Sequence, residues 1–194
     1  MNGLKTSILG LVLLSSAMLS GCATVPVTGR KQLTLIPDSE INSMSFSQYE
    51  QGLAESDLSQ DEDAVAMIKR VGSRIQGAVE AYARQEGWAD QLDGYAWEFH
   101  LIESDQVNAW CMPGGKVAFY TGILPICQDA TGVAVVMGHE IAHAVAEHGN
   151  ERMSQQLLVN MGGMALSEAL ESEPEKTQSL AMTAFAVGAQ VGAI

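Results

Sequence analysis

The sequence predicts an α+β domain that is mainly helical, with a small sheet next to one helix that carries the pattern H-E-x-x-H. A long segment after residue 60 repeats apolar residues at steps of three and four, as amphipathic helices do. Two shorter segments alternate apolar and polar residues or flank a Pro-Gly-Gly turn, as strands do. With 194 residues, of which 47% are hydrophobic, the chain is long enough to bury one core.

The chain is strongly acidic. It has 10 Lys and Arg residues against 23 Asp and Glu residues, a formal net charge of −13. Such a surface repels nucleic acid and offers no electrostatic attraction to anionic lipid. We therefore expect no nucleic-acid partner, and attachment to a membrane needs another source.

The N-terminus supplies that source. Residues 1–21 read as a signal peptide, because Lys5 precedes an apolar run over 7–19 that is too short to span a membrane. The run ends in Leu-Ser-Gly-Cys at 19–22, which resembles the bacterial lipobox and implies cleavage before Cys22 and lipid on its sulfur. The alternative is an ordinary signal peptide with an incidental Cys. By resemblance to Gram-negative sorting signals, Ala23 after the Cys favours the outer membrane, facing the periplasm.

Two further thiols remain after lipidation, those of Cys111 and Cys127. In an oxidising compartment a pair of Cys residues forms a disulfide if the geometry allows it. A bridge between them is therefore expected, and two small buried thiols are the alternative.

Residues 22–60 form an anchor-proximal segment, in which a helix begins after Pro37 with Asp38 or Ser39 as its cap. The main domain is expected over 61–194. Its first helix is predicted from its apolar spacing and ends at Gly87; the apolar positions are Val65, Ile68, Val71, Ile75, Val79 and Tyr82.

A strand over 95–102 follows, and then a hairpin over 108–122 with its turn at Pro-Gly-Gly. His100 lies on the more polar face of the first strand. A lone His on a strand is more often solvated or packed than a ligand, so His100 is left out of the predicted site.

The pattern His139-Glu140-Ile141-Ala142-His143 lies in an apolar helical segment, 133–148. On a helix, residues four apart are separated by about 6 Å of rise and roughly 40° of rotation, so His139 and His143 can face one cation. Glu140, beside them, can act on a water without being a ligand. Two His ligands with a Glu as general base form the arrangement of a zinc peptidase.

Chance copies of this pattern usually lie on solvated faces with charged neighbours. Here the flanking residues are apolar, which predicts a helix buried on most sides, where unpaired His and Glu would be costly. We therefore predict one Zn²⁺ per chain, held by His139 and His143, with Glu140 as the catalytic residue.

Zinc peptidases bind substrate as an added strand on a sheet edge beside the metal. The hairpin lies just upstream of the metal helix, so Asn108, Ala109 and Trp110 are predicted to bind substrate. Downstream, residues 149–152 are expected to interrupt the chain, with helices over 153–170 and 180–194.

The order of these parts resembles the HtpX-like, CAAX-prenyl-protease-related family of zinc metallopeptidases, in its bacterial lipoprotein branch. The resemblance implies a gluzincin-type fold and endopeptidase cleavage of envelope proteins, often misfolded or misassembled ones, with other envelope proteins as possible partners. It rests on the lipobox and on residues 27–32, 108–110, 113–115, 122–124, 138–143, His148 and 151–152.

In that family the third zinc ligand is a Glu on a later helix, in an E-x-x-x-D or E-A-D motif. This sequence ends where the motif should begin, so the domain is expected to be incomplete at its C-terminus unless an internal acid substitutes. Among the acids that follow, Glu168 is the candidate, because it lies on a predicted helix. His148 is a poor ligand unless the helix breaks before it, because five residues rotate it roughly 140° from His143. The third ligand is left unknown.

Two functions compete. The first is a membrane-anchored zinc metalloendopeptidase that cleaves envelope proteins in quality control. The alternative is a truncated, non-catalytic envelope lipoprotein that binds other proteins. A purely structural zinc site would require four protein ligands, and the Cys residues lie outside plausible spacing to His139 and His143.

Overall fold

The computed structural model describes residues 22–192. The predicted signal peptide, residues 1–21, and the lipid-bearing side chain of Cys22 lie outside what it describes. The chain divides into two compact units, one comprising Ala23–Gln32 and Ile36–Gly149, the other comprising Leu33–Leu35 and the chain from Asn150 onward.

The predicted α+β class is confirmed, because helices dominate and the sheets are small. The elements follow in the order β1 Cys22–Thr24, β2 Lys31–Leu33, α1 Asp38–Ala54, α2 Glu62–Glu86, a 3₁₀ turn Ala89–Leu92, β3 Glu98–Ile102, β4 Ala109–Met112, β5 Lys116–Tyr120, a 3₁₀ turn Thr121–Ile123, α3 Leu124–Cys127, α4 Ala130–Val145, α5 His148–Ala169 and α6 Glu175–Gly192.

The central sheet has the order β3-β5-β4. β3 runs parallel to β5, with Glu98 opposite Lys116, and β4 runs antiparallel to it, with Ala109 opposite Phe119. The β4–β5 turn needs Gly114 and Gly115, whose φ angles are 79° and 83°. The predicted hairpin is therefore confirmed, and it places β4 at an edge of the sheet.

One face of the sheet is covered by α2 and α4, which also pack against each other. The buried side chains between them form the main core, and those of lowest exposure are Ile68, Val117, Phe119, Val133, Met137 and Ile141. Helix α2 begins at the cap Asp61, whose carboxylate accepts from the Ala64 N–H at 3.0 Å, and ends at Gly87 with φ 77°. The predicted end at Gly87 is confirmed.

The opposite face of the sheet carries α1 and a small polar network. The Tyr49 hydroxyl donates to the Val117 carbonyl at 2.8 Å and lies 2.9 Å from Nδ1 of His100. Burial raises the pKa of the Tyr49 hydroxyl and lowers the pKa of the His100 imidazole. His100 is thus a packed strand residue on β3, outside helix α4. The cap expected for α1 is wrong, because Asp38 is the first helical residue and no side chain caps the helix.

The chain between α4 and α5 bends earlier than expected. The predicted interruption at 149–152 is wrong, because α4 ends at Val145 and α5 already begins at His148. The bend is made by Ala146 and Glu147, and Glu147 has a left-handed φ of 55°. A non-glycine residue in this conformation leaves no signal in a sequence pattern.

The second unit consists mainly of α5 and α6. The ring of Phe185 packs over Gly162 and Gly163, and the Ser154 hydroxyl accepts from the Leu35 N–H at 2.9 Å. Several large apolar side chains of this unit are exposed, among them Leu157, Met161, Met164, Leu180 and Val187. Within residues 22–192 no single helix is long and apolar enough to span a membrane. The bent pair Thr121–Cys127 and Ala130–Val145 reaches that length and apolar composition only when its two segments are taken together.

Candidate metal and catalytic site

Helix α4 presents both histidines of the pattern on one side. It starts at Asp129, whose carboxylate accepts from the N–H groups of Thr131 and Gly132 at 2.7 and 3.0 Å. These bonds lower the pKa of the Asp129 carboxyl. The helix then buries one apolar stripe, Val133, Met137, Ile141 and Ala144.

The histidines lie away from that stripe. His139 and His143 are exposed and Glu140 is half-buried. The expectation that the helix is buried on most sides around the motif is therefore wrong, and the site lies on an open face. The apolar residues around the motif correctly predicted burial only for the stripe of α4 that packs against the sheet and α2.

Nε2 of His139 and Nε2 of His143 are 3.0 Å apart, and the ring planes make an angle of 84°. Two tetrahedral zinc ligands at the usual Zn–N length lie about 3.3 Å apart, so this pair fits a shared zinc ion. Among residues 22–192, no group of three or more His, Cys, Asp or Glu side chains has an arrangement that could hold a metal ion. Of the ligands that a zinc site needs, the described residues therefore bring together the two imidazoles of His139 and His143.

His148 lies against His143 because the helix ends before it. Nδ1 of His148 is 2.6 Å from Nδ1 of His143. That contact uses the ring nitrogen of His143 that faces away from His139, so the three imidazoles do not converge on one point. His148 is therefore a neighbour of the predicted ligand His143. The other candidate for a third ligand, Glu168, lies on α5 in the other unit and is exposed.

Strand β4 packs directly against α4. Burial, together with the nearby charge of Glu140, raises the pKa of the Cys111 thiol on this strand to about 12. Cys111 is therefore a neutral thiol at neutral pH and an unsuitable nucleophile.

The expected disulfide is wrong: Cys111 and Cys127 are both free thiols. Cys111 lies in strand β4 and Cys127 ends α3, and both side chains take part in the core cluster under α4. They behave as small apolar residues, which was the alternative considered.

The predicted substrate strand is an edge strand. Asn108 precedes β4, and its carbonyl accepts from the Tyr120 N–H at 3.1 Å. The Trp110 indole N–H donates to the Tyr120 hydroxyl at 3.3 Å. One side of β4 is paired with β5, and the other faces no further strand among the described residues.

One part of the site had no place in the sequence prediction. The turn between β1 and β2, residues 25–30, lies beside His139 and His143 and shares an apolar groove with them. In the sequence this turn corresponds to Val-Thr-Gly-Arg at 27–30. That stretch contributed to the family resemblance, but the sequence analysis assigned it no function.

The α+β fold and the paired histidines with their adjacent glutamate form an arrangement typical of metallopeptidases. The sequence agrees, since residues 69–193 match the model described as Peptidase family M48. This match covers more than half of the chain, and the chain belongs to Peptidase family M48, whose members are in general zinc-dependent.

Similar curated proteins carry compatible names. The chain is 40% identical over 77 residues to "Mitochondrial metalloendopeptidase OMA1" of Saccharomyces cerevisiae, covering 39% of the chain and 22% of the relative. It is 30% identical over 142 residues to "Metalloendopeptidase OMA1, mitochondrial" of Bos taurus, covering 72% and 26%. It is 31% identical over 58 residues to the "Beta-barrel assembly-enhancing protease" of Yersinia pestis, covering 30% and 12%. The chain thus spans about a quarter or less of the length of these relatives.

Proposed function

We propose that this chain is a zinc-dependent metalloendopeptidase that cleaves proteins of the cell envelope in quality control, held at the outer membrane by lipid on Cys22. The observation that carries the proposal is the approach of His139 and His143 to 3.0 Å, next to Glu140, on a helix that packs against an edge strand. The lipobox resemblance supports the anchor, and the resemblance to the HtpX-like lipoprotein branch supports the substrate class.

In this proposal His139 and His143 hold one zinc ion. Zinc, when bound, supplies a Lewis acid at the scissile bond. Glu140 accepts the proton of the attacking water and delivers it to the leaving amine. Asn108, Ala109 and Trp110 hold the substrate backbone as an added strand along the free side of β4.

His148 has a positioning role in this scheme. When Nε2 of His143 binds zinc, its Nδ1 carries the proton and donates to the Nδ1 of His148, 2.6 Å away. A partner on the second ring nitrogen of a ligating His fixes its tautomer and orientation. The contact therefore holds His143 ready for the metal.

His148→Ala is expected to lower zinc affinity by about tenfold to hundredfold, because His143 loses its partner. His148→Gln keeps an acceptor and should recover part of the loss. Competition titration with a zinc chromophore measures both, and melting temperatures show whether the fold survives. An affinity that is equal in the wild type and in the alanine variant would contradict this role.

Metal removal tests the proposed function. The purified chain should cleave an unfolded protein such as reduced casein, lose that activity with a chelator and regain it when zinc is added. Cleavage that continues in the chelator would contradict a zinc-dependent mechanism.

The alternative is a non-catalytic lipoprotein that binds other envelope proteins. It is favoured by one observation, namely that no third protein ligand joins the histidine pair within residues 22–192. The two functions differ in outcome: a binder retains an unfolded protein on a column without producing fragments, whether zinc is present or absent.

A further inference from the structure

A groove of about 530 Å³ opens beside the paired histidines. Its walls are the turn between β1 and β2, the C-terminal half of α2 with Trp88, and α4 with the bend after it. The apolar and aromatic side chains that line it include Val27, Ile75, Val79, Tyr82, Trp88 and Val145. Ligand sites in proteins commonly have this size and this apolar character.

The turn that forms one wall is tightly held and strained. The Val25 N–H donates to the Arg30 carbonyl at 2.8 Å, and the Thr28 N–H donates to the Pro26 carbonyl at 2.7 Å. Val27, at the centre of the second bond, has a φ of 71° and is 72% exposed. A β-branched residue rarely adopts this conformation, and strain of this kind concentrates at functional sites. The turn therefore holds an apolar side chain out in solvent at the wall of the groove.

A hydrogen bond fixes the turn to the bend that follows the metal helix. The Gln32 amide donates to the Glu147 carboxylate at 3.3 Å, and Gln32 is only 3% exposed. Glu147 immediately precedes His148. The groove wall and the histidine cluster are thus linked through the same short stretch of chain.

The charges around the groove restrict what can occupy it. Among the described residues, no Asp or Glu side chain lines it, although the chain as a whole carries a net charge of −13. Arg30 is one of the residues that line it. A charged side chain would lose water in this groove without a carboxylate among the lining residues, whereas an apolar side chain would meet apolar surface.

We propose that this groove binds an apolar side chain of the substrate next to the scissile bond, and that Val27 forms part of the wall that selects it. The proposal rests on the peptidase function proposed above. The occupant is assigned from the continuity of the groove with His139 and His143. The turn lies outside residues 69–193, the part of the chain that matches the family model.

Peptide hydroxamates that carry glycine, leucine or lysine next to the hydroxamate group test this assignment by calorimetric binding to the zinc-loaded chain. The leucine compound should bind roughly tenfold to hundredfold more tightly than the glycine compound, because its side chain leaves water. The lysine compound should bind no better than the glycine compound.

Val27→Ala should reduce the leucine preference by roughly threefold to tenfold. Val135→Ala is the matched control, because Val135 is 69% exposed on α4 and does not line the groove. It should leave the preference unchanged. Val27→Gly relieves the strained backbone, so it should reduce the preference without lowering the melting temperature, which separates loss of the wall from misfolding.

The outcomes distinguish this proposal from the function on which it rests. Equal binding of the glycine and leucine compounds would overturn the groove assignment and leave the metal site intact. A leucine preference that survives both Val27 substitutions would exclude the turn as the selecting wall. Failure of every compound to bind would overturn the metal site and the groove assignment together.

Discussion

Glu140→Gln is expected to lower the rate of peptide-bond cleavage by about 10²- to 10⁴-fold, the usual contribution of a general base. Gln has nearly the shape of Glu but cannot accept the proton of the attacking water. Because Glu140 is not a predicted ligand, zinc content should be unchanged. Turnover of a quenched fluorescent peptide, measured with the zinc content of the same sample, gives both quantities.

Glu62→Gln is the control for this substitution. Glu62 is an exposed residue in the first turn of α2 and has no part in the proposed site, so its variant should cleave at the wild-type rate. If Glu140→Gln kept full activity, Glu140 would not be the base and the mechanism proposed here would fail. If it lost both zinc and activity, Glu140 would belong among the ligands.

Gly132→Ala is expected to destabilise the fold by about 3 kcal/mol or more, since added atoms in a packed interior force backbone shifts. A Cβ at this position would overlap the carbonyl oxygen of Cys127 and lie 2.7 Å from its carbonyl carbon. The obstacle is backbone, so no side-chain rotation can remove it. For a chain of this length the melting temperature should fall by on the order of 10 °C.

Gly77→Ala provides the comparison. Gly77 is an exposed glycine within α2, and a Cβ there would meet nothing within 4 Å. Because Ala favours the helix over Gly by roughly 1 kcal/mol, this variant should melt at or slightly above the wild-type temperature. Equal melting of Gly132→Ala and the wild type would contradict the close approach of α3 to the start of α4.

Local patterns predicted the elements that depend on local sequence. The apolar spacing of α2, its end at Gly87 and the hairpin at Gly114 and Gly115 follow from periodicity and from glycine at positive φ. The approach of His139 to His143 follows from helical geometry alone. The family resemblance predicted a metallopeptidase, and the match of residues 69–193 to Peptidase family M48 confirms that class.

Features that depend on unusual backbone conformations or on distant contacts were missed. Glu147 and Val27 adopt positive φ without being glycine, so neither the bend before His148 nor the shape of the turn has a signature in the sequence. The groove joins Val27 to His139, which are far apart along the chain. The prediction of a disulfide was wrong for a similar reason. An oxidising compartment favours disulfides in general, but it does not show whether Cys111 and Cys127 are close in space.

The metal content of the purified chain, measured beside that of His143→Ala, tests the central claim most directly. Both proteins are incubated with zinc, freed of excess metal by gel filtration and analysed by plasma mass spectrometry, with circular dichroism to show that both are folded. One zinc per chain in the wild type and none in the variant is the predicted result. Absence of zinc from both proteins, or equal zinc in both, would contradict a metal site built on His139 and His143.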